Sequence, residues 1–283
     1  MPEVLRAALL VLAVAVLPAV HAQEQVAFDS LDTAGGTPVR LLGHWFAAPT
    51  STAHAPALVL LHGCSGPYAR SGQLGERMRS YAALLNAQGA HALVLDSLTP
   101  RGEKELCTQQ LGTRHVKQAQ RRLDALAALA WLARRSGVDP QRLGLLGWSN
   151  GGSTVLAAIN LRHPAVAAAG VKAAFAVALY PGCEAELKRG FQSSTPLLML
   201  VGEADDWTSA APCHELANTG AGPVKPEIEG YAGAYHGFDS NAPVRLRKDV
   251  PDGVMPGQGV HVGGDPAARD ASRRRLLQFL AQH

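Results

Sequence analysis

Charged and aromatic side chains are scarce in this 283-residue sequence, at 17% and 5% of the residues respectively. The 26 lysines and arginines nearly balance the 23 aspartates and glutamates, which leaves a formal net charge of +3. The positive residues are scattered, and their densest run, Arg273-Arg274-Arg275, falls on a predicted terminal helix. Nucleic-acid binding needs a concentrated basic surface, so this class of function is not expected.

Long apolar runs are also missing beyond residue 22, so no stable membrane span is predicted in the mature chain. The N-terminus differs, because Arg6 precedes an apolar segment at 7–16 and Val20-His21-Ala22 resembles a cleavage site. This arrangement is typical of a signal peptide. We therefore predict a signal peptide at 1–22, a single domain over 23–283 and a periplasmic or secreted location. An uncleaved membrane anchor is the alternative.

Cysteine is rare, with four residues and no C-x-x-C pair. Zinc coordination is therefore not expected, and no metal or other cofactor is predicted. In an oxidising compartment thiols pair, and four cysteines allow three pairings. Each cysteine follows the end of a predicted strand, which would bring all four to one edge of a sheet. We expect the disulfides Cys64–Cys107 and Cys183–Cys213.

Hydrophobic residues make up 47% of the chain, enough to bury a sizeable core. Short apolar runs typical of strands buried on both faces occur at 57–61, 92–95, 142–147, 173–180 and 196–201. Segments with helical spacing occur at 73–88, 115–135 and 266–281. This alternation predicts an α/β fold with a mostly parallel central sheet and helices on both faces. Strands at 25–29 and 39–46 are expected to add an antiparallel edge.

Two further segments carry structural expectations. Apolar residues define one face of the helix at 115–135, so its arginines are expected to point to solvent and Asp124 is interpreted as a surface charge. The segment 251–265 is rich in proline and glycine and has no periodicity. We interpret it as a long surface or lid loop.

The sequence Gly147-Trp148-Ser149-Asn150-Gly151 lies where a predicted strand gives way to a helix. In this setting G-x-S-x-G forms a nucleophile elbow, a tight turn that lifts the serine hydroxyl clear of the sheet. Glycines on either side permit the tight turn because they have no Cβ. The helix N-terminus favours negative charge on an attacked oxygen. Ser149 is therefore predicted to be a nucleophile.

Two partners are expected after the serine, in the order acid and then histidine. Asp205 follows the strand at 196–201 and is the preferred acid, with Asp206 as the alternative. His236 lies in a glycine-flanked loop beyond another predicted strand and is the preferred base. His261 is its competitor. Asp96 precedes the serine in the chain, so it is interpreted as a loop carboxylate.

The strand at 57–61 ends in His62-Gly63-Cys64. Acyl transfer needs two backbone N–H groups that converge on the oxyanion, one from this early loop and one from the residue after the nucleophile. Cys64 and Asn150 occupy those positions. His62 is interpreted as a residue that fastens the loop through hydrogen bonds rather than as the base.

These motifs, together with Tyr235-His236-Gly237-Phe238, resemble those of the dienelactone hydrolase family within the α/β-hydrolase fold. The resemblance extends over about residues 40–283 and implies Ser149 as nucleophile, Asp205 as acid and His236 as base. It also implies oxyanion donors at Cys64 and Asn150. The namesakes of the family carry cysteine at the elbow and are cytosolic, whereas this chain has serine and a predicted signal peptide.

The expected activity is hydrolysis of a small-molecule carboxylic ester or lactone through an acyl-enzyme, without a cofactor. A non-catalytic ligand-binding protein on the same scaffold is one alternative. A peptidase or an acyltransferase that uses the same three residues is another. The sequence carries no signal for the oligomeric state.

Overall fold

The computed structural model describes residues 23–49 and 54–283, so the predicted signal peptide and its cleavage site lie outside the described residues. The strands are β1 (Glu24–Ala34), β2 (Thr37–Phe46), β3 (Ala55–Leu61), β4 (His91–Asp96), β5 (Val138–Trp148), β6 (Phe175–Leu179), β7 (Leu197–Gly202), β8 (Glu227–Tyr231), β9 (Arg245–Arg247) and β10 (Val260–Val262). The helices are α1 (Glu76–Ala87), α2 (Gln118–Leu132), α3 (Asn150–Ile159), α4 (Pro164–Ala167), α5 (Glu184–Arg189), α6 (Ala211–Thr219) and α7 (Pro266–Leu280). Among these helices, none has the length and apolar character needed to cross a membrane.

Eight strands form the central sheet in the order β1-β2-β4-β3-β5-β6-β7-β8. Strand β2 runs antiparallel to β1 and β4, and the remaining neighbours are parallel. The predicted mostly parallel sheet with an antiparallel edge is therefore confirmed. Because parallel strands share one carboxyl edge, the loops after β3, β5, β7 and β8 open on the same side of the sheet.

Each face of the sheet carries its own apolar core, as the alternation of side chains along β3 illustrates. Leu58 and Leu60 belong to the core that includes residues of α1 and α7. Ala57, Val59 and Leu61 belong to the core that includes residues of α2, α3 and α6. Full burial of a leucine contributes roughly 1.5–3 kcal/mol, so these strands and helices hold the carboxyl edge firmly in place.

The expectation that the polar face of α2 is solvated is wrong at two positions. Arg121 is 1% exposed and Asp124 is fully buried. Asp124 accepts hydrogen bonds from Ser30 Oγ at 2.5 Å and from two nitrogens of Arg101 at 2.9 Å. Strand β1 and the loop that follows β4 cover this part of α2, and the helical periodicity alone could not reveal that cover.

The segment 251–265 contains more structure than its composition indicates. Its residues 260–262 form β10, which pairs antiparallel with β9, and Val262 makes a bridge to His236. The Asp265 side chain then accepts a hydrogen bond from Ala268 N and caps α7. The interpretation as an irregular loop is therefore wrong for 260–262, and this short hairpin lies against the loop that carries His236.

Candidate active site

Ser149 occupies a strained turn between β5 and α3, with φ of 54° and ψ of −121°. Positive φ is uncommon for a residue with a side chain. A Cβ on Gly147 would lie 2.3 Å from the Gly151 carbonyl oxygen, and a Cβ on Gly151 would lie 1.9 Å from the Leu61 carbonyl oxygen. Both positions therefore require glycine. The turn places the serine at the N-terminus of α3, above the end of the sheet.

His236 and Asp205 complete a chain of hydrogen bonds that begins at this serine. His236 Nε2 lies 2.8 Å from Ser149 Oγ, and His236 Nδ1 lies 2.8 Å from Asp205 Oδ2. The side chains of Asp205 and His236 are 1% and 4% exposed. This is the geometry in which a histidine can accept a proton from a serine while a carboxylate orients its ring.

The loop after β7 fixes the carboxylate of Asp205. Its Oδ1 accepts hydrogen bonds from the N–H groups of Trp207 and Thr208, both at 2.9 Å. Thr208 Oγ1 lies 3.1 Å from Asp205 Oδ2 and 3.2 Å from His236 Nδ1. Thr208 was not predicted from the sequence, although an Asp followed three residues later by Thr is a recognisable local hydrogen-bonding pattern.

The loop after β3 lies directly beside Ser149. A Cβ on Gly63 would lie 3.5 Å from Ser149 Cβ, and the next residue along the chain is Cys64. Among the hydrogen bonds of residues 23–49 and 54–283, none uses the backbone N–H of Cys64 or of Asn150 as donor. The two N–H groups predicted as oxyanion donors therefore lie on the segments that flank the hydroxyl.

His62 is buried at the base of this loop, and among the described residues its side chain is hydrogen-bonded to Gly63 and Ser97 rather than to Ser149. Its Nε2 accepts a hydrogen bond from Ser97 N at 3.4 Å, so the proton lies on Nδ1, which donates to Gly63 O at 2.7 Å. Burial, followed by the charge of Arg121, holds the pKa of His62 well below its ordinary value. His62 is thus a neutral side chain that joins the loop to the end of β4.

Asp96 lies at the end of β4 and is fully buried. Its Oδ1 accepts hydrogen bonds from the N–H groups of Leu98 and Thr99, both at 3.0 Å. The carboxylate therefore shapes the loop after β4, and it takes no part in the chain of hydrogen bonds at Ser149.

A buried polar cluster of Tyr180, Asp239 and Arg77 contacts His236 through the ring of Tyr180. This cluster was not predicted from the sequence. The ring of Tyr180 meets the His236 ring edge-on with centroids 4.7 Å apart, and Tyr180 itself has a φ of 38°. Its hydroxyl donates to Asp239 Oδ1 at 2.6 Å, and Arg77 donates to both oxygens of Asp239 at 3.1 Å. Burial raises the pKa of Tyr180 well above its ordinary value.

An apolar wall adjoins the histidine. The Trp207 ring lies 4.7 Å from the His236 ring, centroid to centroid. Trp207 also packs against a small buried cluster formed by Cys64, Leu98, Leu106, Cys107 and Val116. An indole therefore lies between the ring of His236 and the apolar cluster that contains Cys64.

Comparison with known proteins agrees with this geometry. The family model described as "Dienelactone hydrolase family" matches residues 44–283. The chain belongs to the dienelactone hydrolase family. A search of curated proteins found no match.

Several solved structures share the fold of this dienelactone hydrolase family member. A dienelactone hydrolase from Anabaena variabilis superposes with a TM-score of 0.60 at 17% identity, over 93% of this chain and 99% of that one. A dienelactone hydrolase-like promiscuous phosphotriesterase from metagenomic libraries gives 0.62 at 19%, over 92% and 98%. A thermophilic esterase from Thermogutta terrifontis with bound propionate gives 0.59 at 18%, over 92% and 94%.

Two disulfides tie down loops at the carboxyl edge in this family member. Cys64 is bonded to Cys107 with an S–S distance of 2.02 Å, and Cys183 is bonded to Cys213 at 1.99 Å. The first links the loop after β3 to the loop after β4, and the second links the start of α5 to α6. In the described ranges, no group of three or more His, Cys, Asp or Glu side chains is arranged to hold a metal ion.

Proposed function

We propose that this protein is a serine hydrolase that cleaves a carboxylic ester or lactone through an acyl-enzyme. The observation that carries the proposal is the 2.8 Å approach of His236 Nε2 to Ser149 Oγ at a strained strand-to-helix turn. A buried carboxylate on the far side of the imidazole completes the arrangement. Membership of a hydrolase family and the similarity to esterase structures support the same reaction class.

In the first half of the reaction, His236 takes the Ser149 proton while Oγ attacks the carbonyl carbon. Negative charge moves to the carbonyl oxygen, where the N–H groups of Cys64 and Asn150 stabilise it. The imidazolium then gives its proton to the leaving oxygen, and the carbon–oxygen bond breaks. Asp205 keeps the proton of the neutral ring on Nδ1 and stabilises the charged ring.

In the second half, His236 removes a proton from water, which attacks the acyl-enzyme. The same oxyanion donors act again, and collapse of the intermediate returns the proton to Ser149 Oγ and releases the acid. An acyltransferase would differ only in admitting an alcohol or amine in place of water. A peptidase would need the same groups to protonate a leaving amine.

We also propose that the protein acts after export, in the periplasm or outside the cell. Two disulfides are compatible with an oxidising compartment, where such bonds persist. The signal peptide predicted at 1–22 would direct the chain there. Intact-mass analysis of the protein recovered from its native host would test this, since removal of residues 1–22 predicts a mature N-terminus at Gln23.

Activity-based labelling with a fluorophosphonate tests the proposed function most directly. We expect one label, located on Ser149 by mass spectrometry and absent from Ser149→Ala and His236→Ala. Ser65→Ala, which changes an exposed serine next to the loop of Cys64, is the matched control and should label normally. Folded wild-type protein without a label would instead support the binding-protein alternative.

A panel of ester, lactone, amide and phosphotriester substrates then separates the reaction classes. We expect turnover of esters or lactones and at least about 100-fold weaker turnover of the matched amide, because an amine is a poorer leaving group than an alcohol and must be protonated before it leaves. Preferential cleavage of the amide would favour the peptidase alternative. Preferential transfer to an added alcohol would favour the acyltransferase.

A further inference from the structure

Arg121 is a buried arginine that connects two separate parts of the candidate active site. It lies on α2 and is 1% exposed. Its Nη2 donates a hydrogen bond to the His62 carbonyl oxygen at 2.7 Å, and its Nη1 donates to Asn150 Oδ1. His62 precedes Cys64 by two residues in the loop after β3, and Asn150 is the first residue of α3. One planar guanidinium therefore spans the gap between the two segments.

The cost of burying this side chain indicates that it has a specific role. Both acceptors are neutral oxygens, so the positive charge has no bonded carboxylate to offset its removal from water. Burial lowers the pKa of Arg121 to about 10, and the more distant Asp124 and Asp96 counter that effect only in part. The side chain is nevertheless protonated at neutral pH, so a positive charge is held permanently behind the two segments.

The same face of α2 makes a second contact with the start of α3. Gln118, one turn before Arg121, donates from Nε2 to the Asn150 carbonyl oxygen at 3.0 Å. Thr154 Oγ1 lies 2.8 Å from Gln118 Oε1. Helix α2 therefore binds both the backbone carbonyl and the side chain of Asn150 in the first turn of α3. The loop of Cys64, by contrast, is connected to α2 through Arg121.

We propose that Arg121 is the positioning residue of the oxyanion hole. It sets the separation of the Cys64 and Asn150 N–H groups by bonding to the neighbouring His62 carbonyl and Asn150 side chain, and its charge favours the developing oxyanion. This inference rests on the proposed serine hydrolase mechanism. Arg121 does not touch the substrate, so its contribution belongs to the transition state rather than to substrate binding.

Steady-state kinetics on a small ester test the proposal with the variant Arg121→Met, which keeps the bulk of the side chain and removes both hydrogen bonds. We expect kcat to fall about 10- to 100-fold, below the 10²–10³-fold typical of losing a donor itself. KM should stay within about threefold, because ground-state contacts are unchanged. Affinity for phenylboronic acid, which forms a tetrahedral adduct with an active serine, should fall by the same factor as kcat.

Arg101→Gln is the matched control, since the Arg101 side chain is only 9% exposed and bonds to the carboxylates of Asp32 and Asp124. It should lower the melting temperature at least as much as Arg121→Met while kcat and boronate affinity change less than about threefold. If the two variants lose kcat equally, Arg121 contributes only to general stability and the proposal is overturned.

If Arg121→Met fails to fold, the variant Asn150→Ala tests the proposal instead, because it removes one acceptor of Arg121 and keeps the backbone N–H. A lowered kcat at constant KM supports the proposal, and an unchanged kcat overturns it.

The wild-type protein separates this inference from the function on which it rests. Wild-type protein that neither labels with fluorophosphonate nor cleaves any ester would overturn the proposed function and this inference together. Wild-type protein that does both, with an Arg121→Met variant of full kcat, would overturn the role of Arg121 alone.

Discussion

Asp206 and His261 form a hydrogen-bonded pair of their own beside the Asp205–His236 pair. Asp206 Oδ2 lies 2.6 Å from His261 Nδ1, and Asp206 Oδ1 accepts from the His261 backbone N–H at 2.8 Å. The His261 ring also stacks near Tyr235, with centroids 4.9 Å apart. The two alternative candidates from the sequence thus bind each other, and their bonds attach β10 to the loop after β7.

Two neighbouring aspartates should therefore respond very differently to the same substitution. We expect Asp205→Asn to lower kcat by about 10⁴-fold, because the amide leaves the imidazole in the wrong tautomer. Asp206→Asn keeps a hydrogen-bond acceptor for His261 N–H and should change kcat by less than about tenfold. Steady-state kinetics on one ester would compare them. Equal losses in the two variants would contradict the assignment of Asp205 as the acid.

The two disulfides should be equivalent for stability and different for activity. The bonded cysteines are separated by 43 and 30 positions in the sequence, so chain-entropy arguments give each disulfide about 4 kcal/mol of stability. Only Cys64–Cys107 holds a residue of the proposed oxyanion hole. We expect Cys64→Ser with Cys107→Ser to lower kcat, and Cys183→Ser with Cys213→Ser to leave kcat of the folded fraction near wild type. Denaturant unfolding and kinetics at a temperature where both double variants are folded would show whether the effects separate.

Stability should decline as the pH falls below about 6.5, and His62 should contribute to that decline. Burial holds the pKa of His62 well below its ordinary value of 6.5, so in that pH range the unfolded chain binds a proton that the folded chain does not. Below pH 6.5 the unfolding free energy therefore falls as the pH falls. Each such histidine lowers it by up to about 1.4 kcal/mol per pH unit. His44, His91 and His163 have pKa values lowered in the same direction.

Urea unfolding between pH 5 and 7.5 measures this slope. His62→Asn keeps an amide donor for the Gly63 carbonyl and removes the titrating ring, so its stability should depend less steeply on pH than that of the wild type. A variant with an unchanged slope would show that His62 does not take up the proton.

Glycine at the elbow should be indispensable for steric reasons. Gly151→Ala places a methyl group 1.9 Å from the Leu61 carbonyl oxygen, and backbone must move to accommodate it. We expect a loss of about 3 kcal/mol or more in unfolding free energy. Gly112→Ala is the control, since a Cβ there meets nothing within 4 Å. Similar melting temperatures for the two variants would contradict the close approach of α3 to the end of β3.

The parts of the fold that could be predicted are those in which a local pattern has one physical solution. The consecutive apolar side chains at 57–61 can all be buried only in a strand that is covered on both faces. This segment forms β3, between β4 and β5. Likewise, G-x-S-x-G after such a strand predicted the turn at Ser149. The hairpin of β9 and β10 escaped prediction because each strand has three residues, too few for a periodic pattern.

Long-range pairing of polar side chains was the other limit. Arg121 and Asp124 were predicted to lie at the surface of α2, yet each is buried with partners far away in the chain. A charge is stable in the interior only when specific groups surround it, and those groups are supplied by other elements of the fold. Helical spacing describes one element at a time, so it could not show what covers α2.

By itself, the amino-acid sequence determined the strands of the central sheet, the long helices α1, α2 and α7, the elbow at Ser149 and the set of residues from which an acid, a base and oxyanion donors could be drawn. The tertiary structure alone shows which of them are hydrogen-bonded to Ser149 and to one another. Asp205 and Asp206 are adjacent in the chain, and only the direction in which each side chain leaves the loop after β7 brings the first to His236 and the second to His261. Hydrogen bonds act over about 3 Å, whereas sequence position places a side chain only to within a residue or two.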